Sequence, residues 1–266
     1  MSRFALKVAY DGQGFPGWQT QPDGRAIQDC LERALAGVAG VPVATVCAGR
    51  TDAGVHASCQ VVHFDCDVAR PLSAWIRGVN SHLPPNVAVQ AAAQVDPQFH
   101  ARYSARRRRY TYLLYRAAQR HPLLHGRAGW VFEPLELEAM RTAAGHLVGR
   151  HDFSAFRSAQ CQSKTPVRDL QSLVIEEQGP LLVIQLIANA FLHHMVRNIV
   201  GALVWIGAGR RPAAWMAELL EHRDRTRAAA TFAADGLYLT GVDYDDDHGL
   251  QCWGEPGPGS GLLVAL

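Results

Sequence analysis

Apolar and polar positions alternate as a strand from residue 3 to 10, and the more apolar stretches 43 to 49 and 59 to 66 read as strands as well. Between the first two, Ile27, Leu31, Leu35 and Val38 fall at helical spacing within 25 to 39. Leu72, Trp75, Ile76 and Val79 do the same within 72 to 82, and residues 87 to 95 read as a further strand. The order is β-α-β-β-α-β. From residue 107 it runs a second time: strand 107 to 116, helix 136 to 148, strands 167 to 177 and 181 to 190, helices 192 to 208 and 212 to 222, and strand 236 to 243. The pattern predicts a mixed α+β protein of two ferredoxin-like, split β-α-β halves, each an antiparallel sheet backed by helices. The boundary is placed near residue 105, so that the halves span 1–105 and 106–245, with a tail at 246–266.

Two stretches break the pattern. Residues 149–168, "GRHDFSAFRSAQCQSKTPVR", are polar and without period, and predict a long loop of the kind usually tied to function. "DYDDDHG" (243 to 249) and "GEPGPGSG" (254 to 261) carry turn chemistry and predict a poorly ordered or surface-wrapping end.

Composition narrows the class. With 266 residues, 48% of them hydrophobic, the chain has material for a sizeable core. Its longest apolar run, "LLVIQLIANAFL" (181 to 192), is too short to span a bilayer, and the first residues lack a signal peptide's apolar centre, so no membrane association and a cytoplasmic location are expected. Six cysteines (Cys30, Cys47, Cys59, Cys66, Cys161, Cys252) show no C-x-x-C pair, which points to reduced thiols and indicates no metal. The net charge is only +2, but no acidic residue lies between Asp96 and Glu133. That interval holds Arg102, Arg106, Arg107, Arg108, Arg109, Arg116, Arg120 and Arg127, a candidate surface for polyanions because guanidinium forks match phosphate. Arginine is also this chain's preferred cation, with Lys7 and Lys164 its only lysines, so a solvated face is the alternative.

"CAGRTDAGVHASCQ" (47 to 60) interrupts two strands with Arg50 and Asp52 in a glycine-flanked connection. A carboxylate held there beside a guanidinium stays ionised and can serve as nucleophile or base; an Asx-turn is the structural alternative. His56 is read as a metal ligand or general base, or else as a satisfied structural histidine. On the helical segment 189 to 207, Arg197 lies off the apolar stripe of Leu192, Met195, Val196, Ile199, Leu203 and Ile206, as do His194 and Gly201. Tyr110, in "RRRRYTYLLY", either stacks on a base in a wet cleft or packs into a core.

The run at 47 to 60 resembles the catalytic signature of the TruA-type tRNA pseudouridine synthases. Further blocks resemble that family in the same order: "FALKVAYDGQGFPGWQTQ" (4 to 21), "GVNSHLPPNVAV" (78 to 89), "FHARYSARRRRYTY" (99 to 112), "HDFSAFRSAQCQSKTPVR" (151 to 168), "NAFLHHMVRNIVGALVWIGAG" (189 to 209) and "DGLYLTGVDY" (235 to 244). The family commonly has threonine where Ala26 stands, so Asp23 is the expected substitute cap of the first helix. The resemblance implies the pseudouridine synthase fold, with an active-site cleft between the halves. It also implies cofactor-free conversion of uridine to pseudouridine at positions 38, 39 and 40 of the tRNA anticodon stem-loop, after base flipping. Asp52 falls on the catalytic aspartate, Tyr110 on the active-site tyrosine, Arg197 on the arginine that pairs with the aspartate, and Arg50 lies beside it. Arg102, Arg106, Arg107, Arg108, Arg109, Arg168 and His56 join Tyr110 as expected substrate contacts, with no metal, no small-molecule cofactor and a homodimer sharing one tRNA. A glycoside hydrolase acting on nucleosides would need a second carboxylate near Asp52, and an RRM-like binder would need paired aromatic strands; neither is evident.

Overall fold

The computed structural model describes residues 1–245 together with His248, Leu250 and Trp253. The chain divides into two compact units, one of Met1–Arg107 with the residues from Tyr238 onward and one of Arg108–Leu237.

In the first unit the strands are β1 (Ser2–Tyr10), β2 (Val46–Cys47), β3 (His56–Cys66) and β4 (Val87–Val95). β1 is central and pairs antiparallel with β3 on one side and β4 on the other, while β2 pairs antiparallel with the later part of β3. The order β4-β1-β3-β2 is that of a split β-α-β sheet, as the pattern predicts. The beginning of β3 takes another neighbour: Tyr238 and Leu239 lie parallel to His56 and Ala57. Helix α1 (Ile27–Ala39) turns Ile27, Leu31 and Leu35 inward. The helix expected at 72 to 82 is widened to a π-helical turn over Ala74–Gly78, which buries Trp75 against Phe4 and Phe64. Asp23 does not cap α1, contrary to expectation, because its carboxylate is occupied by the backbone and guanidinium of Arg25. Asp29 instead accepts the backbone N–H of Ala26 at 2.9 Å, the reciprocal half of a capping box, which needs no hydroxyl on Ala26.

The second unit is built on β5 (Arg107–Arg116), β6 (Gly129–Val131), β7 (Gly149–Asp152), β8 (Val167–Gln178) and β9 (Leu181–Ala188). β5, β9, β8 and β7 lie in that order, antiparallel throughout, and β6 pairs parallel with β5. Helices α2 (Leu137–Gly145) and α3 (Met195–Gly207) pack together, with α4 (Trp215–His222) beside α2. The segment 149–168 is not the featureless loop expected. It opens as β7, then tucks Phe153, Ala155 and Phe156 into the core. Three apolar residues in four positions are too few to give a period, which is why the pattern hides them. β10 (Leu237–Asp243) returns the chain to the first unit.

Of the tail, Tyr244 donates its hydroxyl to Ala101 O at 2.7 Å, His248 packs its ring on Phe99, and Leu250 is buried. The stretch 254 to 261 lies outside the described residues, as do Asp246, Asp247, Gly249, Gln251 and Cys252; the other five cysteines are free thiols. No described helix is long and apolar enough to cross a membrane.

Candidate active site

The connection between β2 and β3 is fixed mostly by main-chain atoms. Ala48 N donates to Val61 O at 2.8 Å, and Val55 N closes the turn on Asp52 O at 3.2 Å, with Gly54 at φ 76°. From β1 and the segment after it, Trp18 N donates to Thr51 O at 3.0 Å, and the Tyr10 hydroxyl meets Thr51 Oγ1 at 2.8 Å. Gln60, wholly buried, donates Nε2 to Gly49 O at 2.6 Å. Two glycines let the backbone of 12 to 17 lie directly on the turn. A Cβ at Gly12 would stand 2.1 Å from Val55 O, and one at Gly17 2.9 Å from Thr51 O. Asp52 lies half-buried on this frame.

Around the turn, Arg50 is exposed, and so is Arg102. Both guanidinium groups act on the Cys47 thiol, opposing the burial that pushes it up to about 11. His56 is 2% exposed, with Nδ1 3.0 Å from both Gly12 N and Asp11 Oδ1 and its ring stacked on Tyr238 at 4.5 Å. It is a core group supporting the turn and offers no surface to an RNA. Arg106 and Arg107, both exposed, pair with Asp245 at 2.6 Å and Asp243 at 3.2 Å.

In the second unit Tyr110 sits on β5 opposite Leu186 of β9 and is 8% exposed, its ring edge-on to Phe191 at 4.9 Å. Arg108 is buried and donates to Asn189 O at 2.9 Å, while Arg109 is half-buried. Arg168 is also buried: its guanidinium donates to Ser163 Oγ at 2.6 Å and to Thr165 O at 2.9 Å, and burial lowers its pKa below the ordinary arginine value. Arg108 and Arg168 are therefore engaged within the fold, which for Arg108 an arginine-rich stretch does not disclose by itself.

Arg197 is held by a structure the sequence reading missed. Its Nε donates to Phe232 O at 2.8 Å, and Phe232 N returns a bond to Arg197 O at 3.3 Å. The Phe232 ring packs edge-on to Tyr112, two residues from Tyr110 on β5. The loop bearing Phe232 is anchored by Asn198, which is wholly buried and donates to Phe156 O at 2.7 Å while accepting from Thr231 Oγ1 and Arg225. Gly201 lets that loop cross α3, since a Cβ there would lie 2.4 Å from Ala230 O. α3 starts on His194 in a left-handed conformation, φ 64°, a strained choice for a non-glycine residue three positions before Arg197.

A family model described as tRNA pseudouridine synthase matches residues 7–104 and 143–245, which include both the aspartate turn and the arginine helix. The chain belongs to the tRNA pseudouridine synthase family, isomerases that act on tRNA. A relative named tRNA pseudouridine synthase A from Bordetella petrii is 56% identical over 100% of this chain and 98% of its own length. Relatives of the same name from Dechloromonas aromatica (54% identical, 99% of each chain) and Burkholderia multivorans (57%, covering 91% of this chain and 90% of its own) are similar to it along nearly the whole length.

Proposed function

We propose that this protein converts uridine to pseudouridine at positions 38, 39 and 40 of the tRNA anticodon stem-loop, as a cytoplasmic homodimer, with Asp52 as the catalytic carboxylate. The C1′–N1 bond breaks, the base turns, and C1′ joins C5; the hydrogen on C5 leaves and N1 takes one up. Atoms balance without a co-substrate, so the reading calls for no cofactor and no metal. As the glycosidic bond breaks, the sugar gains positive charge. A fixed carboxylate favours that step whether it bonds to C1′, adds to C6 of the base or takes a sugar proton.

In this reading Tyr110 stacks on the flipped base and relays the C5 proton, giving up its hydroxyl proton as it takes that one, Arg197 is the cationic partner of the Asp52 carboxylate, and Arg50 attends the turn. Extracting a base from a stem costs about a few kcal/mol, which contacts to the RNA backbone must offset. Arg102 and Arg109 are the proposed contributors, with Arg106 and Arg107 contributing to the extent that Asp245 and Asp243 release them. The carrying observation is the turn at 47 to 56, which displays one aspartate on a rigid main-chain frame inside a chain of this family.

The test is base-resolution mapping of pseudouridine in tRNA treated with the purified protein, beside Asp52→Asn. We expect new pseudouridine at 38 to 40 with the parent alone, and tRNA binding retained by the variant. Modification elsewhere, or an active Asp52→Asn, overturns the assignment.

A further inference from the structure

The turn from Phe99 to Ser104, in the first unit, presents an aromatic ring to solvent on an unusually firm mount. Tyr103 is 77% exposed. Beneath it, Phe99 is wholly buried against Tyr244, whose hydroxyl donates to Ala101 O at 2.7 Å. His63 Nδ1 accepts Ala101 N at 3.1 Å. His100 Nδ1 accepts the backbone N–H groups of both Arg102 and Tyr103 at 3.2 Å, and the N–H of His100 donates to Ser104 Oγ at 3.0 Å.

The Tyr103 ring is backed by the His100 imidazole, 4.3 Å away at 30°, and the Arg102 guanidinium lies 5.7 Å from its centroid. A single exposed tyrosine is ordinary and needs no explanation. This one is rigidly held, supported on one side by a second ring, and accompanied by a cation. Its turn also adjoins the strand that leads into the Asp52 turn, because Ala101 N rests on His63, which pairs across the ladder with Val46 of β2. No acidic residue occurs in sequence from Pro97 to Phe132.

We propose that Tyr103 is a stacking platform for an unpaired nucleotide of the RNA substrate, with Arg102 and Arg50 taking the flanking phosphates. This rests on the tRNA reading above and adds to it a binding residue and the part of the RNA it meets. Every base has a π-face, so a tyrosine with a free side accepts any unpaired base, and guanidinium groups alongside supply the charge that holds the strand. A paired helix offers no such face, so the platform selects loop nucleotides over stem.

The full-length protein is assayed with tRNA as Tyr103→Phe, Tyr103→Leu and Tyr103→Ala. Because the side chain is exposed, these variants keep the fold. We expect Leu and Ala to raise KM and Kd about tenfold or more with kcat changed by less than about twofold, and Phe to match the parent. In Tyr103→Trp, an anticodon stem-loop hairpin should quench emission beyond the parent's response, and a fully paired duplex should not.

Leu or Ala indistinguishable from the parent overturns the platform, as does equal quenching by hairpin and duplex. If the parent makes no pseudouridine the function reading fails separately, and the hairpin quenching still decides the platform.

Discussion

At the scale of single residues, chemistry and support are divided between different side chains. Arg197 is gripped through Nε by the Phe232 carbonyl. Arg197→Ala should lower kcat by at least about tenfold with a much smaller change in tRNA Kd, because its proposed partner is a carboxylate and not phosphate. Equal losses in steady-state turnover and filter binding would contradict that role. His63 gives a pH prediction. Burial, with Arg3 and His100 adding repulsion against the weaker pull of Asp65, holds it down to about 4, so it is neutral in the folded state while the unfolded chain protonates near 6.5. Stability from this group is complete above about pH 6.5 and is lost as pH falls toward 4, by about 2 to 4 kcal/mol in all. Urea midpoints at pH 7 and pH 5 should diverge more for the parent than for His63→Gln. Asp52, Tyr110 and Arg197 entered through motif resemblance, and their spacing alone left each open to a structural reading. Phe232, Asn198 and Arg225 gave no signal at all, since a backbone carbonyl that grips a guanidinium has no residue type.

Elements were more legible, because period reports which face is covered. β1, β4, β5 and β8 stand within a residue of where alternation puts them, and α1 and α3 keep their apolar stripes. What alternation could not show is β2: of the expected 43 to 49 only Val46 and Cys47 belong to the strand, with Thr45 turned onto the Glu32 carboxylate before it and the Asp52 turn following it. Close crossings of backbone are likewise invisible to period and are marked only by glycine. Gly12→Ala forces Val55 away and Gly201→Ala forces Ala230 away, each at about 1 to 3 kcal/mol. Activity should fall further than stability in both, since Gly12 underlies the Asp52 turn and Gly201 underlies the loop that holds Arg197. Comparing kcat/KM with thermal midpoints checks this; loss in proportion to stability alone would remove these glycines from the site's support.

For the whole molecule, a count of arginines overstates the charge offered to a polyanion. Arg106 and Arg107 already face Asp245 and Asp243, and Arg108 and Arg168 are buried on internal acceptors. Arg50 and Arg102 are exposed near the signature turn. Neutralising Arg50 and Arg102 together should reduce the slope of log K against log salt by about two phosphate contacts, and neutralising Arg106 and Arg107 by clearly less. Fluorescence titrations with tRNA at several salt concentrations measure both, and the reverse ranking would restore the arginine run as the main contact. The parallel ladder of Tyr238 and Leu239 on His56 and Ala57 has its own consequence, for synthesis. The start of β3, and the imidazole beneath the neighbouring turn, stay uncovered on the ribosome until nearly the entire polypeptide has emerged. Contacts so distant in sequence form late, so the Asp52 turn is among the last parts of a nascent chain to set.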